Sequence, residues 1–333
     1  MKELISKLNA APSGPGQEDR IREMIQELVT PYVTEVSTDV LGNLIAVKKP
    51  KTAGDGKTIM LVTHMDEPGV VVVDKDEQGW LRVEPLGNLK ASDMIGARVV
   101  FGRTGIKGVI GVESHVEDKD IAFRHLFVDV GCAAEHKVQG VAIGDVATWS
   151  GPFEDLDDDI IVGHALDARA ACAVLIEALK AAKSTHTIIA VFTAQHQVGS
   201  RGAKVAAYRI KPDLAIAVDV TPAGDTPKAE HISVELGKGP AIKALDGNVV
   251  VAPTLVRKIA AIAEKHGIAY QIEVAPKAKS EAGTTLISGE GVPTCGVSIG
   301  ARYIGTPSCM VSLSDVTNTL TLIVGALTDG AIL

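Results

Sequence analysis

Aromatic residues are scarce in this chain: Phe, Trp and Tyr make up 3% of its 333 residues. The interior must therefore be built from aliphatic side chains, and an apolar content of 46% is enough to bury a large core and more than one domain. Basic charge is also in deficit. The chain has 33 Lys and Arg against 41 Asp and Glu, for a formal charge of −8, and it contains no basic run. Phosphate binding needs a concentrated basic surface, so a nucleic-acid partner is excluded. Cysteine is sparse and scattered. Cys132, Cys172, Cys295 and Cys309 form no Cys-x-x-Cys pair, which argues against a disulfide scaffold or a zinc finger and for free thiols in a reducing compartment.

Long apolar runs are missing as well. Segments such as LTLIVGAL (Leu320–Leu327) fall far short of a membrane span. The amino terminus, MKELISKLNAAPSGPGQEDRIREMI, interleaves charged and apolar residues and lacks the apolar core of a signal peptide. The expectation is a soluble cytoplasmic protein with no membrane partner. Several catalytic signatures are absent too: G-x-x-x-x-G-K-[ST], H-E-x-x-H and G-x-G-x-x-G. GRTGIKGVIG (Gly102–Gly111) is glycine-rich, but no helix follows it, so it reads as tight turns rather than a phosphate cradle.

Two textures alternate along the chain. Glu18–Tyr32 carries a helical stripe at Ile21, Ile25 and Leu28. DVLGNLIAVKKP reads as a hairpin and TIMLVTH (Thr58–His64) as a strand buried on both faces. Between about Gly69 and Gly163 the pattern changes to short β-type runs separated by Gly, Asp and Asn turns. Strand and helix then alternate again: helix ALDARAACAVLIEALKAAK, strand HTIIAVF, helix GSRGAKVAAYR, strand DLAIAVDV, helix APTLVRKIAAIAEKHG, strands AYQIEVA and TCGVSIG, and a helix from Leu313. This pattern predicts an α/β domain, residues 1–67 and 165–333, with a mostly parallel sheet covered by helices, and a small all-β domain inserted at 68–164.

Three polar residues stand where apolar β-runs end or a helix begins: His64, Asp167 and Asp219. Each has an ordinary structural reading, as a buried imidazole, a helix N-cap and a turn residue respectively. Together, at the carboxyl ends of parallel strands, an imidazole and two carboxylates also make a divalent-metal set suited to zinc, cobalt or manganese.

THMDEPGVVV, GHALDARAACAVL, TAQHQVGSRGA, AVDVTPAGDTP and ARYIGTPSCMVSLSDV resemble, in order and spacing, the signature stretches of the glutamyl and tetrahedral (dodecameric) aminopeptidases. These are co-catalytic metallopeptidases often labelled endoglucanases. The likeness extends to PSGPGQEDRIREMI, DVLGNLIA and DVGCAAEHKVQGVAIGD. It implies a zinc-aminopeptidase-like α/β domain and an inserted barrel-like dimerisation domain, with two metals sharing a bridging Asp. One metal's ligands correspond to His64, Asp167 and Asp219, with Asp66 as the acid that orients the histidine. The other metal's private ligands fall at Gln197 and Gly305, where neither a carboxylate nor an imidazole stands. The general-base position is His196, and the usual G-G-T-D-A-G stretch appears as Ala278–Gly283.

The resemblance therefore implies a site reduced to one divalent ion, or to none, with peptidase activity weak, altered or lost. His196 either takes over as base or is a polar residue without a catalytic role, and His164, beside the bridging Asp, is a further candidate ligand. The substrate of an active enzyme would be a small peptide or an acyl-amino acid, and the protein would form a homo-oligomer between dimer and dodecamer. A non-catalytic binding or regulatory paralogue is the alternative reading. A glycosidase with paired carboxylates is a weaker one.

Overall fold

A computed structural model describes residues 1–51, 56–131, 140–229, 232–328 and 332–333. Cys132 and the rest of 132–139, within the DVGCAAEHKVQGVAIGD segment, lie outside the described residues. The remaining cysteines, Cys172, Cys295 and Cys309, are buried free thiols. Burial raises the first two to about 11 and about 12, so they are inert at neutral pH.

The larger unit is an eleven-stranded sheet. At its centre Thr187–Thr193, Thr58–His64, Leu214–Pro222 and Thr294–Arg302 lie side by side and parallel. The flanks are antiparallel: Leu44–Lys48 and Glu35–Thr38 on one side, Cys309–Ser312 and Ile160–Gly163 on the other. Ala241–Asp246 branches from Thr294–Arg302 and pairs in parallel with Gln271–Ala275. The sheet is thus mixed around a parallel core. That core explains the unbroken apolar runs, because helices cover both faces and leave no strand side wet. Leu166–Ala181 is the most deeply buried of these helices. Its Ala170, Ala171, Ala173 and Ala178 let the helix lie close on the strands, where larger side chains would hold it away.

The sequence-level hairpin is displaced toward the amino terminus. Its first strand is Glu35–Thr38, and Asp39–Gly42 makes the turn. The Asp39 carboxylate accepts the amides of Leu41 and Asn43, which fixes the turn locally.

The second unit is a closed six-stranded antiparallel barrel formed by Gly69–Lys75, Leu81–Leu86, Leu126–Asp129, Lys107–Val112, Arg98–Phe101 and Val146–Trp149. Its own core gathers Val70, Leu81, Phe101, Ile110, Val128 and Trp149. Closure leaves no free sheet edge. Glu154–Asp155 and Ile160–Gly163 fall within the range expected for the inserted domain, yet they pair into the large sheet. Ile161 is fully buried opposite Val311, and Asp159 ties this strand to the last helix by accepting the Ser314 amide and the Ser312 hydroxyl. Texture alone does not reveal which sheet a short β-run joins.

Candidate metal centre

Parallel pairing sends neighbouring strands out at the same edge, and this brings the site together. His64 and Thr193 are register partners at the ends of their strands, and Asp219 lies on the next strand over. Asp167 arrives from the opening of helix Leu166–Ala181. Asp167 and Ala168 are themselves non-helical, φ −88° ψ 105° and φ −114° ψ 39°, so the chain kinks at Asp167.

His64 Nε2 lies 3.3 Å from Asp167 Oδ1 and 3.5 Å from Asp219 Oδ1. The donor atoms of the three residues all fall within 4.8 Å of one another. Nε2 is fully buried and has no hydrogen-bond partner among the described residues. Its sister atom Nδ1 sits 2.9 Å from the backbone carbonyl of Asp66. A carbonyl can only accept, so Nδ1 carries a proton, and in the neutral ring the lone pair on Nε2 points at the two carboxylates. An unpartnered buried nitrogen facing two acids fits a divalent cation well, and a backbone carbonyl holding the outer ring nitrogen is a common way to fix a metal-binding imidazole. The electrostatics agree. Burial pushes the His64 imidazole down, but Asp167 and Asp219 outweigh it and hold it well above its ordinary range. The pocket attracts positive charge.

Asp66 meets His64 through its main-chain carbonyl, and its carboxylate has a further task. Its carboxylate is 3.8 Å from His64 Nδ1 and instead accepts the backbone amides of His196 and Gln197 at 2.9 Å each. It clamps the turn after strand Thr187–Thr193. Burial raises its pKa despite the two histidines and two amides that oppose the shift.

That turn carries His196 directly over His64, the two rings stacked with centroids 4.1 Å apart and a 9° tilt. His196 Nδ1 is 3.0 Å from Glu281 Oε1 and 3.2 Å from Ser200 Oγ. Burial and His64 lower the His196 pKa, but Glu281 and Asp219 outweigh them and the net shift is upward. Ser200, His196 and Glu281 do not form a nucleophilic triad, because both partners meet the same ring nitrogen rather than opposite ones.

Gln197 and Gly305 do face the same space. Together with Asp167, His196 and Asp219 they line a cavity of about 1350 Å³. Gly305 has φ +82°, a left-handed conformation, and a Cβ added there would meet only Leu89 at 3.7 Å. The barrel unit closes one wall: Pro68, Gly87 and Asn88 line the cavity. Gly87 has φ +109°, and a Cβ there would fall 3.1 Å from Gln197 Oε1 and 3.1 Å from Pro68.

His164 does not join the cluster. Its Nδ1 lies 3.0 Å from Glu67 Oε2, and Glu67 also accepts the Ser13 amide. The wholly buried Arg169 guanidinium bonds the carbonyls of Leu8, Met65 and Ala11 beside them. His164 is thus part of a structural knot that pins the amino-terminal segment to the metal-side helix.

Two groups escaped the sequence reading. Glu281 opens helix Glu281–Leu286 and is 1% exposed. In the sequence it is only one acid in an altered stretch, and the helix behind it is too short to show a period. Lys243 is buried between Glu273 and Asp246. The Asp246 carboxylate accepts the Ser280 hydroxyl at 2.6 Å, one residue before Glu281. Glu273 is further satisfied by Thr221 and Ser298. Through Thr221 this cluster is bonded to the strand that carries Asp219.

The architecture and the site can be placed among known proteins. A chain of Acetivibrio thermocellus, itself named only as a candidate aminopeptidase, is 40% identical over 330 residues, covering 98% of each. Among solved structures, an aminopeptidase from the archaeon Desulfurococcus kamchatkensis superposes with a TM-score of 0.94 at 34% identity, covering 99% of this chain and 96% of that one. The Pyrococcus horikoshii TET1 peptidase, described as assembling into a tetrahedron or a large octahedral shell, gives a TM-score of 0.85 at 28% identity over 98% and 99% of the two chains. The family model of the M42 glutamyl aminopeptidases matches residues 42–322, and the chain belongs to that family.

Proposed function

We propose that this protein is an aminopeptidase-family hydrolase whose site is reduced to one divalent ion, with weak or altered activity on small peptides or acyl-amino acids. The observation that carries this reading is an asymmetry within one cavity. His64, Asp167 and Asp219 converge with their donor atoms within 4.8 Å, while the two positions across from them are an amide and a glycine, Gln197 and Gly305. An amide is neutral and glycine has no donor side chain, so neither recruits a second cation.

His64, Asp167 and Asp219 would hold the ion, and zinc, cobalt and manganese all suit that donor set. When bound, it would supply Lewis-acid polarisation of a scissile carbonyl and lower the pKa of a coordinated water. The chain's own groups do the rest. Asp66 fixes the 196–197 turn by its amides. His196, stacked over the histidine ligand, is the group placed to take a proton where the family's acid stood. Gln197 offers a neutral hydrogen-bonding amide to the substrate. Losing a second ion and a carboxylate base removes roughly 10²–10⁴-fold each from the rate, so turnover of ordinary aminopeptidase substrates should be slow. We further infer that the protein is a homo-oligomer in solution, as its TET1 relative is.

Metal analysis together with a screen of leucyl, glutamyl, alanyl and N-acyl chromogenic substrates tests the reading. One tightly held ion per chain and slow, metal-dependent turnover are expected. Two tightly held ions with family-level turnover would refute the reduced site. One ion with no turnover of any substrate would favour a non-catalytic binding paralogue.

A further inference from the structure

The His196 side chain is held more firmly than a drifting polar residue would be. Its Nδ1 faces the Glu281 carboxylate at 3.0 Å, and Glu281 is itself oriented. Oε1 accepts the Thr193 hydroxyl at 2.6 Å, and the residue is 1% exposed. The Glu281 oxygen that meets His196 is therefore the one the Thr193 hydroxyl already fixes, while Oε2 is buried without a partner. From the other side, the ring lies flat on His64, and the Asp66 carboxylate pins its backbone amide. Three elements thus fix one imidazole: strand Thr187–Thr193, strand Thr58–His64 with the residues that follow it, and helix Glu281–Leu286.

A carboxylate can only accept, so a short contact to Nδ1 places the ring proton there. In the neutral ring the lone pair is then left on Nε2, the ring nitrogen for which no hydrogen bond is found among the described residues. We propose that Glu281 is the positioning residue of this site: it holds His196 in the Nδ1–H form and so leaves the ring's accepting nitrogen, Nε2, to the cavity that His196 lines. The proposal deepens the hydrolase reading and rests on it only for the use made of Nε2. The arrangement of the ring stands on geometry alone. It also separates the two stacked imidazoles by their holders: a main-chain carbonyl fixes His64, and a side-chain carboxylate fixes His196.

The experiment reads the ring directly in full-length, ¹⁵N-histidine-labelled protein, with His196→Asn identifying the His196 signals. Read at a pH where the ring is neutral, wild type should show a protonated Nδ1 and a bare Nε2. Glu281→Gln keeps an oxygen for the Thr193 hydroxyl to fix, so it should keep that tautomer. Glu281→Ala should shift the population to the Nε2–H form that free imidazole side chains favour. A wild-type spectrum with the proton on Nε2 would overturn the proposal. So would an Ala variant, folded by circular dichroism, that keeps the wild-type tautomer. If the Ala variant does not fold, the wild-type and Gln spectra still decide. Should the protein prove inactive with its ion bound, the hydrolase reading fails while the tautomer result stands. Should it be active, Glu281→Ala is expected to lower kcat about tenfold or more with unchanged metal content, and Glu281→Gln to retain most of it.

Discussion

The two sides of the cavity are built to different standards. On one side His64 and Asp219 project from adjacent parallel strands, and Asp167 from the opening of a buried helix. Every one of these residues is held by core packing. On the other side Gln197 sits in a turn clamped by Asp66, and Gly305 in a loop with φ +82°. A ligand on the end of a central strand moves only if the sheet moves, whereas a ligand on a loop depends on a few local bonds. The side that carries the three donors is the side where the fold itself does the positioning.

The strongest way to break that contrast is to remove a donor from the retained side. Asp219→Asn should lower zinc affinity by on the order of a hundredfold or more, beyond the usual cost of losing an outer hydrogen-bond partner of a ligand. Calorimetric titration reads this, and Asn binding as tightly as Asp would show that the cluster is not the metal site. The contrast is sharpened from the other side by Gln197→Glu combined with Gly305→His. Metal content should rise from one ion toward two, and turnover by about 10²-fold or more. Unchanged stoichiometry in a folded double variant would mean that more than two side chains separate this site from a two-metal one.

A third test concerns the loop that carries His196. Glu18 is buried and accepts the amides of Gly16 and Gln195 through Oε1. Its pKa is raised from 4.5 to about 7, burial being the main cause. The folded state therefore holds this proton more tightly than the unfolded chain does. Stability from this group is present below about pH 4.5 and is lost as pH rises through about 7. Glu18→Gln keeps an acceptor for both amides without the charge, so it should flatten the pH dependence of Tm between pH 5 and 8. At pH 8 it should stabilise by on the order of 1–3 kcal/mol. A variant that follows the wild-type pH curve would show that Glu18 titrates normally. The smallest effect is expected at Gly305→Ala. The space is open, but the left-handed backbone disfavours a side chain, so about 1 kcal/mol of stability should be lost. A Tm equal to wild type would mean that the loop rearranges freely, and the contrast in rigidity would then fail.

Much of this was legible in the sequence, for a physical reason. TIMLVTH, DLAIAVDV and the helix after His164 announce themselves because a strand covered on both faces needs an unbroken apolar run, and the strand that follows must end in something polar. His64 and Asp219 were visible as those endings. The partners that fix the site were not. Glu281 meets His196 across 85 residues of chain, and Lys243 reaches Glu273 from the neighbouring strand, with no local pattern to mark either. The resemblance assigned Asp66 to the imidazole. Only the folded turn shows its carboxylate directed to the amides of the 196–197 turn. The misplaced edge of the inserted domain has the same origin, since short β-runs carry no label naming their sheet.

Gly87 connects the two units in a way that bears on selectivity. It belongs to the barrel unit, yet a single added carbon there would crowd the Gln197 amide. The cavity thus has one wall cast with the sheet and another hung from a separately folded barrel. Residues on that hung wall can change what fits without touching any group that binds an ion or carries a proton. What the cavity admits can thus be altered from the barrel side while His64, Asp167 and Asp219 are left intact.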